Sequence, residues 1–502
     1  MNITRLLRPY FLRRRPAWAR YASDPEGVQR HELDRMLRAA RHTEWGRAHS
    51  YASLSGYEEY RSAVPVTEYA DIRPMVMRMI AGERNVLWPG LTRRYAQSSG
   101  TSDGKSKYIP ITAEAFTRSH YRGGSDVVSM YLNLYPDSRM FSGCSFILGG
   151  SFGNELDLSA HPRVRVGDLS ANLIDCINPL ANIVRVPDKH TALLEDWSVK
   201  LPALVRAASK ADVTNISGVP SWFLTVLREM LRYTGASQIH DIWPHLEVFF
   251  HGGIAFGPYR EQYDAIIDPA RMRYLETYNA SEGFFALQDT VDSRAMLLLL
   301  DAGTFYEFVD TERPDAAPVP AWEVEQGKIY ALIISSCNGL WRYPIGDTVR
   351  IESTSPLRIT IAGRTKHFIN AFGEEVMVHN TDAALSRACA MTGARVLNYT
   401  AAPVYTSGGS RGRHQWLIEF AVRPTDMDAF AATLDHCLTE ENSDYQAKRA
   451  GNIFLDPLTI TEAREGLFDR WLASTGKLGG QRKVPRLSNS RTLIESMLKF
   501  ND

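Results

Sequence analysis

The chain has 502 residues, 44% apolar and 23% charged, with 57 basic residues balancing 57 acidic ones. This length supports roughly two to four domains with large cores; zero formal charge argues against nucleic acid as the main partner, because binding a phosphate backbone needs a basic surplus. The longest purely apolar run, 295–300, is far too short to span a bilayer, and the five cysteines (Cys144, Cys176, Cys337, Cys389 and Cys437) are scattered with no C-x-x-C pair, which points to reduced thiols, a cytoplasmic location and no zinc site.

Before Asp24 stand Arg5, Arg8, Arg13, Arg14, Arg15 and Arg20 and no acid. An organellar transit peptide has this composition. So does an integral basic helix whose heavy side chains (Leu6, Leu7, Tyr10, Phe11, Trp18 and Tyr21) cover a larger domain, and this is the expectation. Residues 24–45 read as a helix, with Val28, Leu33, Met36 and Leu37 in one apolar stripe. A second helix is expected over 113–133. Runs at 146–148, 213–216, 246–250 and 272–275 read as strands, with helices over 220–234 and 258–267. That alternation predicts α/β layers with buried sheets. Strand-like runs then crowd together between 287 and 363, which predicts a β-barrel-like subdomain. After Gly363-Arg364 the pattern restarts, with a helix at 383–391, an alternating strand at 415–422 and a helix from Asp426. The expected fold class is therefore α/β: a large domain over 1–364 with a β-rich subdomain at 287–363, then a small mobile α+β domain over 365–502.

The most informative stretch is Gln97-Ser98-Ser99-Gly100-Thr101-Ser102-Asp103-Gly104-Lys105-Ser106-Lys107, between strand-like runs at 91–96 and 108–112. Glycines let backbone N–H groups approach a ligand, and hydroxyls and lysines add donors, so a hairpin loop of this kind suits a triphosphate. A P-loop needs four residues between its glycines and opens a helix; here three separate Gly100 from Gly104, and a β-rich run with Pro110 follows. A nucleophile elbow fits residues 100–104 literally but needs a strand-to-helix turn. The Ser/Thr/Gly-rich ATP loop of adenylate-forming enzymes tolerates both the spacing and the strands. A solvated polar hairpin is the remaining reading.

Four other segments carry chemistry. Tyr278-Asn279-Ala280-Ser281-Glu282-Gly283 puts an aromatic, a hydroxyl and a carboxylate in one tight loop, suited to a base, a phosphate and Mg²⁺, or to a helix N-cap. His251-Gly252-Gly253-Ile254 ends an apolar strand, where ligands gather; a plain turn fits equally, and His251 is either a structural residue or a base. Asn338 to Asp347 offers a carboxylate able to accept two ribose hydroxyls, with Arg342 either a ligand or an ion-pair partner. Gly476 to Arg486 is basic and glycine-rich: a solvated tail, or a mobile loop bringing a lysine to a transferring group.

Together these segments are far more specific than any one. Ser98 to Ser102, Tyr278 to Glu282, Gly339-Leu340-Trp341-Arg342-Tyr343 to Gly346-Asp347, Gly363-Arg364-Thr365-Lys366-His367-Phe368-Ile369-Asn370 and Gln481-Arg482-Lys483-Val484-Pro485-Arg486 follow in the order and spacing of the Gretchen Hagen acyl acid amido synthetases, an adenylate-forming family. The resemblance runs from about residue 10 to the end. Thr43-Glu44-Trp45-Gly46, Leu87-Trp88-Pro89-Gly90 and Asn442-Ser443-Asp444-Tyr445 resemble the family's bacterial branch.

The resemblance implies an ATP- and Mg²⁺-dependent ligase whose partners are a carboxylic acid and an amino acid amine, with no nucleic acid and no membrane span. It implies that Ser98, Ser99, Gly100, Thr101, Ser102 and Lys107 hold the β- and γ-phosphates. Tyr278, Ala280 and Ser281 would face adenine and the α-phosphate, Glu282 would bind Mg²⁺, and Asp347 would hold the ribose with Arg364 nearby. Lys483 would swing in on the small domain to stabilise adenylation. The acyl pocket is expected near Tyr121, Val219, Pro220, Trp222, Gly252, Gly253 and Ile254. Phe372-Gly373-Glu374-Glu375 departs from the lysine-containing segment of the plant members after the hinge, so the resemblance does not carry over hinge details or amine selection. An adenylating ligase using coenzyme A or a carrier thiol, and a non-catalytic nucleotide- or acyl-binding relative, are the alternatives.

Overall fold

Phe249 and Phe250 are sequence neighbours on one strand, so their side chains leave opposite faces of the sheet. Phe249 meets Phe223 and Tyr263 (ring centroids 5.3 and 5.4 Å), and Phe250 meets Tyr131 at 5.6 Å. All five rings are buried. A strand apolar on both sides belongs in a sheet covered on both faces, and each such ring contributes roughly 1.5–3 kcal/mol by leaving water.

The computed structural model describes residues 3–98, 107–154, 156–254, 256–364, 368–405, 411–452, 454–474 and 484–501. The arginine-rich start forms helices Ile3–Phe11 and Arg15–Ser23. Arg14 between them pairs with Asp126 at 2.6 Å and Asp301 at 2.9 Å, and Trp18 and Tyr21 are buried, so the segment is built into the large domain. Leu6, Leu7 and Tyr10, expected to pack inward, are exposed instead. The helix expected over 24–45 is Pro25–Ala40, capped by Asp24, followed by the short Glu44–Ala48, capped by Thr43.

Strands β1 (Arg94–Ser98) and β2 (Lys107–Pro110) pair antiparallel from Tyr95↔Pro110 to Ser98↔Lys107. They form the stem of the hairpin; its loop, 99–106, lies outside the described residues. The helix expected over 113–133 runs from Ala113 to Leu134 with a π-helical stretch, Phe116–His120, inside it. That stretch carries Ser119, whose Oγ accepts a hydrogen bond from Phe284 N at 3.0 Å.

Strands β3 (Cys144–Ile147), β4 (Arg165–Gly167), β5 (Arg185–Val186), β6 (Val213–Gly218), β7 (Val248–Gly252) and β8 (Arg273–Ala280) follow. β4 pairs with β1. The other five form the parallel half of a sheet, in the order β5-β3-β6-β7-β8. Next come β9 (Gly283–Gln288), β10 (Met296–Leu298), β11 (Thr304–Asp310), β12 (Val319–Pro320), β13 (Ile329–Ser336), β14 (Leu340–Thr354) and β15 (Leu357–Arg364).

The strands expected to form a barrel-like subdomain do not close on themselves. Among the described residues these strands continue the same sheet in antiparallel fashion, giving one open ladder of 12 strands, β12-β11-β13-β14-β15-β10-β9-β8-β7-β6-β3-β5. The cause is the tight turn Ser281-Glu282 between β8 and β9: it reverses the chain without leaving the sheet, so the later hairpins add to that edge.

The small unit has a two-stranded ladder, β16 (Phe368–Ile369) with β17 (Val376–Met377), and a three-stranded sheet of β18 (Arg395–Tyr405), β19 (Gly412–Val422) and β20 (Thr459–Glu462). Helices Val378–Thr392 and Met427–Glu441 belong to this unit, whose core includes Trp416, Phe430, Leu434 and Leu438. It meets the large domain through the segment that follows β16. Tyr259 Oη donates to the Ala371 carbonyl at 2.5 Å and Trp222 Nε1 to the Phe372 carbonyl at 3.3 Å. Among the described residues no helix is long and apolar enough to cross a membrane.

Candidate active site

The ends of β7 and β8 open onto one cavity of about 900 Å³, with Ser98, Lys107, Ile345 and Asp347 in its wall. β7 ends in Gly252-Gly253, both in the wall with Ile254. A Cβ on Gly252 would lie 2.4 Å from the Thr277 carbonyl oxygen, and Gly253 has φ +84°. Glycine is therefore required twice, once for close strand approach and once for the left-handed backbone.

β8 carries Tyr278 and Ala280 on the strand itself, so only Ser281-Glu282 forms the turn. No helix follows, which removes the N-cap reading. Tyr278 Oη donates to Asp347 Oδ2 at 2.6 Å. Asp347 lies on β14 directly opposite Arg364 of β15 in the register. Asn338 Nδ2 donates to the Glu282 carbonyl at 2.7 Å, pinning the turn. Lys107 Nζ donates to Tyr343 Oη at 3.0 Å and lies 5.9 Å from the Tyr69 ring centroid.

The Glu282 carboxyl is buried. Burial pushes its pKa above the usual carboxylate range, Lys107 pulls it down, and the charges of Glu375 and Asp347 push it further up. A buried carboxylate that keeps one cation and two anions for neighbours suits a hard divalent ion shared with phosphates, which asks few carboxylates of the protein. Among the described residues no group of three or more His, Cys, Asp or Glu could hold a metal by itself.

The remaining expected residues lie as follows. Ser99, Gly100, Thr101, Ser102 and Lys483 are outside the described residues. Tyr121, Val219, Pro220 and Trp222 are not in the lining. Tyr121 Oη donates to the Leu173 carbonyl, and the Pro220 carbonyl accepts from Tyr263. Val219 Cγ2 stands behind the Gly253 wall, 3.4 Å from where a Cβ would be. Trp222 lies under Lys448, whose Nζ is 3.8 Å from its ring centroid.

His251 is a buried imidazole stacked on Phe256 at 4.3 Å, with burial pushing its pKa down to about 3, so it is neutral and structural. Arg342 makes two 2.9 Å bonds to Glu307 and donates to the carbonyls of Arg61 and Val64, which makes it an ion-pair partner and not a ligand.

The wall also contains residues not singled out from the sequence. Glu276 stands two residues before Tyr278 on the same strand face; burial raises its pKa against the pull of Arg294, 3.5 Å away. Tyr405, Asn489, Ser490 and Arg491 come from the small domain, as does Glu375 of the acidic run noted in the sequence. Only the period-two spacing from Tyr278 could have marked Glu276. The others reach the cavity through domain packing, which leaves no local signal.

Comparison with known proteins matches three segments of the chain to one family. The GH3 family N-terminal domain matches residues 18–155, the GH3 family central domain 297–364 and the GH3 family C-terminal domain 379–492. The probable indole-3-acetic acid-amido synthetase GH3.1 of Arabidopsis thaliana is 23% identical over 93% of this chain and 90% of its own length. The jasmonoyl–L-amino acid synthetase GH3.5 of Oryza sativa subsp. japonica is 23% identical over 65% of this chain and 68% of its own. Among solved structures, AtGH3.15 acyl acid amido synthetase in complex with 2,4-DB superposes with a TM-score of 0.62 at 16% identity, covering 96% of this chain and 95% of that one. A 2-hydroxyisobutyryl-CoA ligase superposes at 0.52 with 13% identity, covering 98% and 91%; both likenesses concern the fold. With its N-terminal, central and C-terminal domains matched in sequence order, the chain belongs to the GH3 family.

Proposed function

We propose that this protein is an acyl acid amido synthetase of the bacterial kind, which uses ATP to join a carboxylic acid to an amino acid. The observation that carries this reading is the convergence of Lys107, Tyr278, Glu282 and Asp347 on one cavity beside the Gly252-Gly253 wall. A carboxylate oxygen of the acid attacks the α-phosphorus of ATP. The bond to the bridging oxygen breaks, and pyrophosphate leaves with the electron pair. The amine nitrogen then attacks the acyl carbon, AMP departs, and the amine gives up a proton.

The residues act by position and charge. Lys107 and Ser98, with Ser99 to Ser102, hold the terminal phosphates. Tyr278, Ala280 and Ser281 face the adenine and α-phosphate. Asp347, oriented by Tyr278, accepts the ribose hydroxyls beside Arg364. Glu282 is the carboxylate for Mg²⁺, which when bound spreads the negative charge of the phosphates. Lys483 neutralises charge as pyrophosphate leaves. Gly252, Gly253 and Ile254 border the acyl chain, with Tyr121, Val219, Pro220 and Trp222 further out.

Mass spectrometry of products from Mg-ATP with mixed acids and amino acids tests the reading. AMP and an N-acyl amino acid are expected. Thioester formation with coenzyme A, without amide, would replace it by the thiol-ligase reading.

A further inference from the structure

The basic start of the chain has a second property that the cavity does not use. In the helix Ile3–Phe11, Ile3, Leu6, Leu7 and Tyr10 fall at i, i+3, i+4 and i+7, one stripe of the helix surface. All four face solvent, at 48, 60, 41 and 64% exposure. The opposite side holds the helix to the large domain: Thr4 Oγ1 accepts from Phe141 N at 3.0 Å, Phe11 stacks on Phe141 at 5.3 Å, and Arg8 Nε donates to the Leu132 carbonyl at 2.9 Å. The outward stripe is therefore the face left over after the helix has been anchored. Contiguous exposed apolar surface of this kind marks an interaction site.

The charges around it identify the partner. Residues 3–23 hold six arginines and no acid. Arg14 is consumed by Asp126 and Asp301, and Arg20 pairs with Asp24. Arg5, Arg13 and Arg15 are exposed and make no ion pair among the described residues. Arg13 sits 5.5 Å from the Tyr10 ring centroid, so a cation flanks the end of the stripe.

We infer that this helix lays its Ile3-Leu6-Leu7-Tyr10 stripe into an anionic lipid surface, with Arg13 beside Tyr10 at the headgroups and Arg5 and Arg15 adding to the positive potential of the segment. Leucines enter the acyl boundary, a tyrosine suits the interface, and arginine side chains reach back to phosphate. Four side chains and three cations make a reversible attachment that needs both contributions, since neither the apolar area nor the charge is large alone.

The test is co-sedimentation of the full chain with phosphatidylcholine vesicles, with and without phosphatidylglycerol. The expected result is pelleting with the anionic vesicles only, reversed by high salt. The doubles Leu6→Ser/Leu7→Ser and Arg13→Gln/Arg15→Gln each lower the bound fraction about tenfold, with unfolding temperatures unchanged because these side chains are exposed. No binding to anionic vesicles, or equal binding of wild type and both doubles, would overturn the inference. So would a wild-type dimer that ignores vesicles and becomes monomeric in Leu6→Ser/Leu7→Ser, since a second copy would then cover the stripe.

Discussion

The hydroxyl of Tyr278 on β8 donates to the carboxylate of Asp347 on β14 across 2.6 Å. This bond ties the strand where the sheet changes from parallel to antiparallel to β14, on which Asp347 stands opposite Arg364 of β15. It fixes the orientation of the Asp347 carboxylate in the cavity wall.

Tyr278→Phe keeps the ring and removes that bond. A hydrogen bond to a charged group contributes roughly 1.5–3 kcal/mol, so the KM for ATP is expected to rise about tenfold or more. Asp347→Ala should raise it further. Steady-state kinetics with ATP varied at saturating acid checks both.

Glu282→Gln separates stability from activity. Burial raises the folded-state pKa of Glu282 above its unfolded value. The penalty for keeping it charged is therefore absent below the unfolded pKa, about 4.3, and complete above the raised one. At neutral pH Glu282→Gln should lose adenylation yet melt about 2 °C or more above wild type, the gap closing as pH falls through that window. In the wild type, adenylation should decline on acidification at a pH above the ordinary carboxylate range. Thermal scans and rates across pH measure both.

Arg342→Met leaves Glu307 charged and unpaired in the core. Breaking a buried pair from one side costs about 3–5 kcal/mol. The expected result is a large loss of thermal stability with the KM for ATP unchanged in the protein that remains folded. A selective rise in KM would make Arg342 a ligand.

Gly252→Ala forces a Cβ to within 2.4 Å of the Thr277 carbonyl oxygen. β7 and β8 must separate, at a cost of about 1–3 kcal/mol or more. Because β8 carries the site, adenylation should fall at least about tenfold. A silent substitution, by rate and by melting, would show that the wall tolerates the shift.

Much of this architecture is legible in the sequence wherever the signal is local. Alternation at 213–250 announces the parallel strands, and Tyr278, Glu282 and Asp347 stand out because bulky aromatics, glycines and carboxylates crowd into short turns. That these strands extend the main sheet and do not curl into a barrel was not legible, because closely spaced hairpins have the same pattern whether they close or extend a sheet. Arg342 could not be assigned because Glu307 lies on a different strand. Leu6, Leu7 and Tyr10 carry no mark of which helix face packs, since the anchoring residues, Thr4 and Phe11, are no more conspicuous. Asn489 to Arg491 reach the cavity only because two domains meet.

The central claim is that Lys107, Tyr278, Glu282 and Asp347 form an adenylation site. Its most direct test is acid-dependent exchange of labelled pyrophosphate into ATP, with no amine present, in wild type and in Glu282→Gln. The account predicts exchange that requires both the acid and Mg²⁺ and is lost in Glu282→Gln. Absence of exchange across a broad panel of acids, or exchange untouched by Glu282→Gln, would contradict it.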